Sequence, residues 1–191
     1  ESFHIYSRRE PVGVAALIVP WNGPLVMASW KIAPALAAGC SCIVKPAMQT
    51  PLSTIRLGEL MTEAGIPPGV INILTGSGPE IGQQLAEHPH VDKISFTGST
   101  PVGKSIIDAA KGNLKKVTLE LGGKSPVIIF DDADLDAAIM GAAQAIFSNA
   151  GQVCVAGSRL YIQECVYEEV IAGLSKFASE LRVGSALDYE T

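Results

Sequence analysis

Cys154 lies in the run FSNAGQVCVAGSR, 34 positions after Glu120 in LELGGKSP, while Asn22 stands far upstream in PWNGP. A cysteine sulfur attacks a carbonyl carbon without help from a metal. A carboxylate can take the proton released, and a side-chain amide can donate to the oxyanion that forms. These three residue types point to thiol chemistry on a carbonyl, and no other grouping in the chain offers nucleophile, base and oxyanion donor together. Each has a plainer alternative. Cysteine is often a small buried hydrophobe, and Asn22 could cap a turn before Pro24. Glu120 ends an apolar strand pattern, where burying a carboxylate would require a partner.

The elements that must carry these residues alternate apolar, β-rich runs with helical patterns, which predicts a parallel sheet covered by helices on its faces. The strand patterns are 12–19, 41–45, 70–74, 93–97, 115–121 and 126–130, with a further strand in SRLYIQ. Thr50 as N-cap and Pro51 at the first helical position open a helix that stops at Gly65 and whose core face is expected to be Leu52, Ile55, Leu60 and Met61. Another helix opens at Thr100 with Pro101. A longer pattern at 133–149 repeats Leu135, Ile139, Ala142, Ala143 and Ile146 at helical spacing and leads to Cys154. The last helix falls near 166–182. With no repeat and no low-complexity linker, a boundary at Gly122 and Gly123 divides the chain into 1–121 and 122–191.

Composition narrows the field. The chain has 191 residues, 48% of them apolar, which is enough for a sizeable core. Net charge is -5 and the 14 Lys and Arg are scattered, so nucleic acid is not an expected partner. Gly or Pro breaks the apolar stretches at 12–20 and 33–43 short of membrane-spanning length. Starting at Glu1 and Ser2, the chain displays neither a basic n-region nor an apolar h-region, and four cysteines do not form a disulfide framework, so a reducing, cytoplasmic setting is expected. Cys40 and Cys42 form CxC without a histidine at ligand spacing, which argues against a metal site. Cys40, Cys42 and Cys165 read as core or neutral residues.

Two segments could bind phosphate at a helix N-terminus. GSGPEIG at 76–82 is one residue longer than a dinucleotide fingerprint, and no acid ends the following strand. GSTPVGKS, Gly98 to Ser105, fits the P-loop expression, and VIIFDD at 127–132 resembles the strand ending in Asp that positions magnesium, which makes a nucleotide triphosphatase the rival reading. Against it, Pro101 removes an N–H from the would-be cradle and fits better as the start of a helix. Lys104 would then lie on a solvated helix face, and Asp131 and Asp132 would simply precede the next helix.

VPWNGP at 19–24, KPAMQTP at 45–51, FTGST at 96–100, LELGGKSP at 119–126 and GQVCVAGSR at 151–159 occur in an order and spacing that resemble the NAD(P)-dependent aldehyde dehydrogenases across essentially the whole chain. The resemblance implies a Rossmann-like α/β fold, an open parallel sheet with helices on both faces, followed by the start of a second, catalytic α/β domain. It also implies that Cys154 attacks an aldehyde to give a thiohemiacetal, with Asn22 and the Cys154 backbone N–H holding the oxyanion. Hydride then leaves for NAD or NADP, and Glu120 activates water to hydrolyse the thioester. Gly122 and Gly123 would let the carboxylate move aside. Lys45 would bind the adenosine ribose, Gly98 and Ser99 the pyrophosphate, and Trp21 would line the nicotinamide pocket. Gly78, Phe96, Leu121 and Gly122 complete the implied cofactor contacts.

Met48 stands where many members carry the glutamate that binds the ribose hydroxyls, which implies tolerance of a 2′-phosphate. Gly23 replaces a bulky aromatic, resembling members that act on aromatic or arylacetic aldehydes, such as phenylacetaldehyde dehydrogenases. A noncatalytic, lens-type member is disfavoured because Cys154, Glu120 and Asn22 are all present. Family members are much longer, so the isolated 191 residues are expected to be inactive, and the intact enzyme to form homodimers or homotetramers.

Overall fold

A computed structural model of the chain describes residues 2–189 and 191; Glu1, where the reading of the amino terminus starts, and Glu190 lie outside the described residues. Two compact units are present, Glu1–Leu121 and Gly122–Thr191.

The first unit is built on β1 (Val14–Ile18), whose sequence VAALI is apolar at every position. An unbroken apolar run suits a strand buried on both faces, as the centre of a parallel sheet is. Successive side chains point to opposite faces. Ala15 and Leu17, with Val19 just beyond, therefore meet α1 (Pro24–Ala37) and α2 (Leu52–Glu63) on one face. Ala16 and Ile18 meet α3 (Gln83–Glu87) and α4 (Thr100–Ala110) on the other. The remaining strands are β2 (Ser41–Lys45), β3 (Ile71–Ile73), β4 (Lys93–Gly98) and β5 (Lys116–Leu121). All five are parallel, in the order β3-β2-β1-β4-β5. The expected α/β fold with an open parallel sheet between helices is thus present.

In the second unit β6 (Pro126–Ile129) pairs in parallel with β7 (Arg159–Ile162). α5 (Leu135–Phe147) and α6 (Tyr167–Glu180) cover them. Ile129, Ala142 and Val170 form the core, flanked by Ile139, Leu160 and Leu174. The Asp134 side chain caps α5 by accepting from the Ala137 N–H at 3.1 Å.

The predicted strands all form, with ends shifted by at most two residues, but one predicted face is wrong. In α2 the fully buried residue is Thr54, with Leu57 and Met61 against the core. Leu52 and Leu60 are exposed, at 78% and 45%. The helix also starts one residue late: the Pro51 carbonyl accepts the first intrahelical bond, from Ile55 N–H at 3.0 Å. The Thr50 hydroxyl does not cap it, and donates instead to the Trp21 carbonyl at 3.3 Å. Spacing alone located an apolar stripe; which stripe faces the sheet depends on the angle at which the chain leaves β2.

Gly157 anchors the start of β7: its N–H donates to the Ala145 carbonyl at 2.9 Å. A β-carbon there would lie 2.5 Å from Val127 Cγ2 and 3.1 Å from Ala145 Cβ, both on stiff side chains. Gly157→Ala should therefore lower the unfolding free energy by about 1–3 kcal/mol. A shift of the urea midpoint toward lower concentration, at unchanged slope, checks it.

Candidate active site

Parallel strands deliver all their carboxyl ends to one edge, and where the strand order reverses, here between β1 and β4, the following loops diverge and leave a crevice. Trp21 and Asn22 follow β1, Lys45 ends β2, Gly98 ends β4, Ser99 caps α4, and Glu120 and Leu121 end β5. The register aligns Ile18 with both Lys45 and Phe96, Thr97 with Glu120, and Gly98 with Leu121. Six of the residues singled out in sequence thus share the carboxyl edge with Asn22 and Glu120. Gly78, after β3, opens a π-helical turn at Gly78–Gly82, capped by Ser77 Oγ, which accepts from the Glu80 N–H at 3.3 Å. Gly122 belongs to the second unit.

The environments differ in ways that matter for chemistry. Lys45 is buried, and its Nζ donates to the Pro46 carbonyl at 3.2 Å. Burial holds its pKa below the ordinary lysine value. Phe96 is also buried, its ring lying against Gly98, so that a β-carbon at Gly98 would strike Phe96 Cζ at 2.5 Å. Glu120 is exposed within the described chain. The expectation that a carboxylate here would have to be buried beside a partner does not hold, because β5 is an edge strand and the face to which it turns Thr118 and Glu120, covered by α1 farther in, is open there.

Two residues that the sequence reading passed over lie on that face. Lys31, in α1, sits three positions after buried Ala28 and beside buried Ile32, and is only 8% exposed. Its Nζ donates to Ser95 Oγ at 2.8 Å. Burial lowers its pKa to about 8, the charge of Glu120 opposes that shift, and Lys93 adds to it. Thr97 is buried with its hydroxyl lacking a hydrogen-bond partner among the described residues. A lone lysine inside the apolar pattern PLVMASWKIAPALA was the available signal for the first.

The P-loop expression takes a different form in three dimensions. Helix α4 starts at Thr100 with Pro101 inside its first turn, and the Gly103 N–H is committed to the Ser99 carbonyl at 2.9 Å. Gly103 is buried where α4 crosses Leu121, and Lys104 is exposed on the helix. A phosphate cradle needs this stretch as a loop, so its geometry is absent. The Ser99 side chain makes no capping bond, which leaves the first turn of α4 as a conventional helix N-terminus.

Cys154 belongs to the second unit and is half-buried. It occupies a β-turn closed by the Ala156 N–H donating to the Val153 carbonyl at 3.1 Å. Just before it, Asn149, Ala150 and Gly151 have φ of 52°, 54° and 74°. Three consecutive left-handed residues, two of them not glycine, store strain that the surrounding turn must hold. Gly123 packs on this turn: a β-carbon there would sit 3.1 Å from the Cys154 carbonyl oxygen. Arg159 Nε also donates to the Lys124 carbonyl at 2.7 Å, fixing the same segment.

Cys40 and Cys42 are buried and Cys165 is exposed. Burial and the neighbouring Cys40 push the Cys42 thiol up to about 11, so it is protonated and inert at neutral pH. Among the described residues no group of three His, Cys, Asp or Glu side chains could hold a metal ion. No described helix is long and apolar enough to cross a membrane.

Residues 1–191 match the sequence model of the aldehyde dehydrogenase family. The chain is 55% identical over 190 residues to retinal dehydrogenase 2 of Taeniopygia guttata, covering 99% of this chain and 37% of that protein. It is 52% identical over 184 residues to the cytosolic aldehyde dehydrogenase 1 of Mus musculus, covering 96% and 37%. The crystal structure of betaine aldehyde dehydrogenase from Staphylococcus aureus, in complex with NAD+, superposes with a TM-score of 0.90 at 48% identity, over 95% of this chain and 36% of that one. The chain therefore spans a little over a third of the length of the relatives it matches.

The buried Lys31 makes stability depend on pH. Between about pH 8 and the ordinary value of 10.5, the unfolded chain keeps a proton at this site that the native chain has released. Stability from this group therefore rises with pH across that window, and below pH 8 the cost of burying the charge is felt in full. Urea unfolding should find the advantage of Lys31→Met over wild type largest at pH 7 and diminished by pH 10.

Proposed function

The chain belongs to the aldehyde dehydrogenase family, and on that premise we propose that the full-length protein oxidises an aldehyde to a carboxylic acid, with NAD or NADP as oxidant. The observation that carries this reading is the shared carboxyl edge, to which four strands bring Asn22, Lys45, the α4 N-terminus and Glu120. The first unit serves as the dinucleotide-binding domain and the second as the opening of the catalytic domain.

The residues at the edge fit a dinucleotide. Lys45 is a buried cation whose recorded hydrogen bond is to its neighbour's carbonyl, and the first turn of α4 offers backbone N–H groups and a positive dipole end to a pyrophosphate. Gly98 and Ser99 would hold that group, Lys45 the adenosine ribose, and Trp21, Leu121 and Gly122 the nicotinamide end. Gly78 is exposed with open space about its α-carbon, which permits close approach of a ligand, and Phe96 backs Gly98 from the core. When bound, the dinucleotide supplies the hydride acceptor. The betaine aldehyde dehydrogenase crystallised with NAD+ supports this choice.

The chain's own residues divide the remaining work. The Cys154 sulfur forms a bond to the aldehyde carbon as the carbonyl oxygen becomes an oxyanion, which accepts hydrogen bonds from the Asn22 amide and the Cys154 backbone N–H. Once the carbon is at the thioester level, Glu120 takes a proton from water as the water oxygen attacks, and the sulfur leaves. The substrate is a small-molecule aldehyde, the setting is cytoplasmic, as for the cytosolic mouse relative, and the intact protein assembles as a homodimer or homotetramer.

In the full-length protein, Cys154→Ala should abolish aldehyde-dependent reduction of NAD, read by absorbance of the reduced nicotinamide. Glu120→Gln should keep a first-turnover burst while steady-state turnover falls by about 10²-fold or more. A Cys154→Ala variant that oxidises aldehydes at the wild-type rate would sink the reading. Met48 leaves the ribose site without a carboxylate to repel a 2′-phosphate, so the Kd for NADP should fall within about tenfold of that for NAD. Calorimetric titration of both dinucleotides checks it.

A further inference from the structure

The segment between α5 and β7 is a closed loop. The Gly157 N–H returns to the Ala145 carbonyl in the last turn of α5, at 2.9 Å, so residues 148–156 leave the helix and come back to it. The left-handed run at Asn149, Ala150 and Gly151 is what reverses the chain. There the Gln152 N–H donates to the Asn149 carbonyl at 3.0 Å, and the Asn149 Nδ2 donates to the Gln152 carbonyl at 3.3 Å. The turn is therefore tied twice, between the same two residues. Its three left-handed members meet the demand differently. Gly151 admits no side chain, because a β-carbon would lie 3.1 Å from the Ile146 carbonyl oxygen at a φ of 74°. Ala150 takes the conformation at a cost in energy. Asparagine is among the few residues with a side chain that enter it readily, and Asn149 adds the amide bond as well.

Just past this turn, the Cys154 N–H donates to no acceptor among the described residues, although Cys154 is half-buried. A backbone donor drawn away from water is ordinarily paired. We propose that Asn149 is a positioning residue for this N–H: its left-handed backbone and its amide bond to the Gln152 carbonyl hold the turn that aims the Cys154 N–H at the oxyanion. The connection is short. Val153 alone separates the doubly tied turn from Cys154, and the Ala156 N–H holds the Val153 carbonyl from the other side at 3.1 Å. The inference rests on the proposed attack of the Cys154 sulfur on an aldehyde, which creates the oxyanion. Such a donor lowers the barrier only when it is already aligned with the oxygen that becomes charged. A loosened turn spreads it over several directions while leaving the sulfur itself as nucleophilic as before.

The test uses the full-length enzyme and two reactions of the same sulfur. Oxidation of acetaldehyde or phenylacetaldehyde, the probe aldehydes, passes through an oxyanion and is followed as the rate of the first-turnover burst of reduced nicotinamide. Alkylation by iodoacetamide displaces iodide from carbon without forming an oxyanion, and is followed by mass. Asn149→Ala disfavours the left-handed backbone and removes the amide. It should slow the burst by about tenfold or more while alkylation of Cys154 stays within about twofold of wild type, which also shows that the loop is folded. Asn149→Gly supplies the backbone conformation without the amide and should recover part of the lost rate. A wild-type burst in Asn149→Ala, or burst and alkylation slowed by the same factor, overturns this inference alone. Where Asn149→Ala does not fold, Asn149→Gly carries the same comparison: a slower burst with unchanged alkylation is expected, and equal effects on both overturn the inference. A burst that persists in Cys154→Ala overturns both it and the reading on which it rests.

Discussion

Strand β1 is held on two edges and two faces at once, and the geometry of the first unit follows from that confinement. It pairs in parallel with β2 on one side and β4 on the other, so its backbone groups are spent within the sheet. Its side chains alternate between the α1–α2 layer and the α3–α4 layer. Fully burying a side chain the size of Leu17 or Ile18 contributes about 1.5–3 kcal/mol, and a register slip by one residue would exchange the two faces. The strand cannot move without dismantling both cores. The loops after β1 and β4 therefore inherit fixed starting points on either side of the crevice.

Against this economical framework stand features that lower stability. Lys31 and Lys45 bring charge into buried positions, the Thr97 hydroxyl is buried without a partner among the described residues, and the turn before Cys154 runs through three left-handed residues. Departures from local rules tend to gather where a protein acts and not where it merely folds. In the first unit Lys31, Lys45 and Thr97 lie at the carboxyl edge and on the sheet face beneath it, while the buried Lys115 and the left-handed Leu114 lie at the opposite end of β5. In the second such departures are at the nucleophile candidate.

Gly103 illustrates how one residue type serves opposite ends. In a P-loop its value would be an N–H turned toward phosphate; here that N–H closes the first turn of α4, and the missing side chain lets the helix lie close to Leu121. Pro101 decides between the two, because a fixed φ and an absent N–H suit a helix's first turn and damage a cradle. The same logic separates Cys154 from Cys42. Both are cysteines in apolar neighbourhoods, yet Cys42 is sealed within β2 while Cys154 sits half-buried on a turn.

From residues alone one could read the alternation of strands and helices, the parallel sheet, the helix start at Pro101 and the run of motifs carrying Asn22, Lys45, Glu120 and Cys154, because apolar periodicity, proline and glycine act over a few neighbouring residues. What escaped that reading depends on contacts between distant segments. The α2 face that buries Thr54 instead of Leu52 and Leu60, the exposure of Glu120, and the placement of Lys31 against Ser95, 64 residues away, are set by how helices lean on the sheet. Local sequence specifies which conformations a segment prefers. Only packing across the sheet decides which side chain loses its water and which charge it then feels.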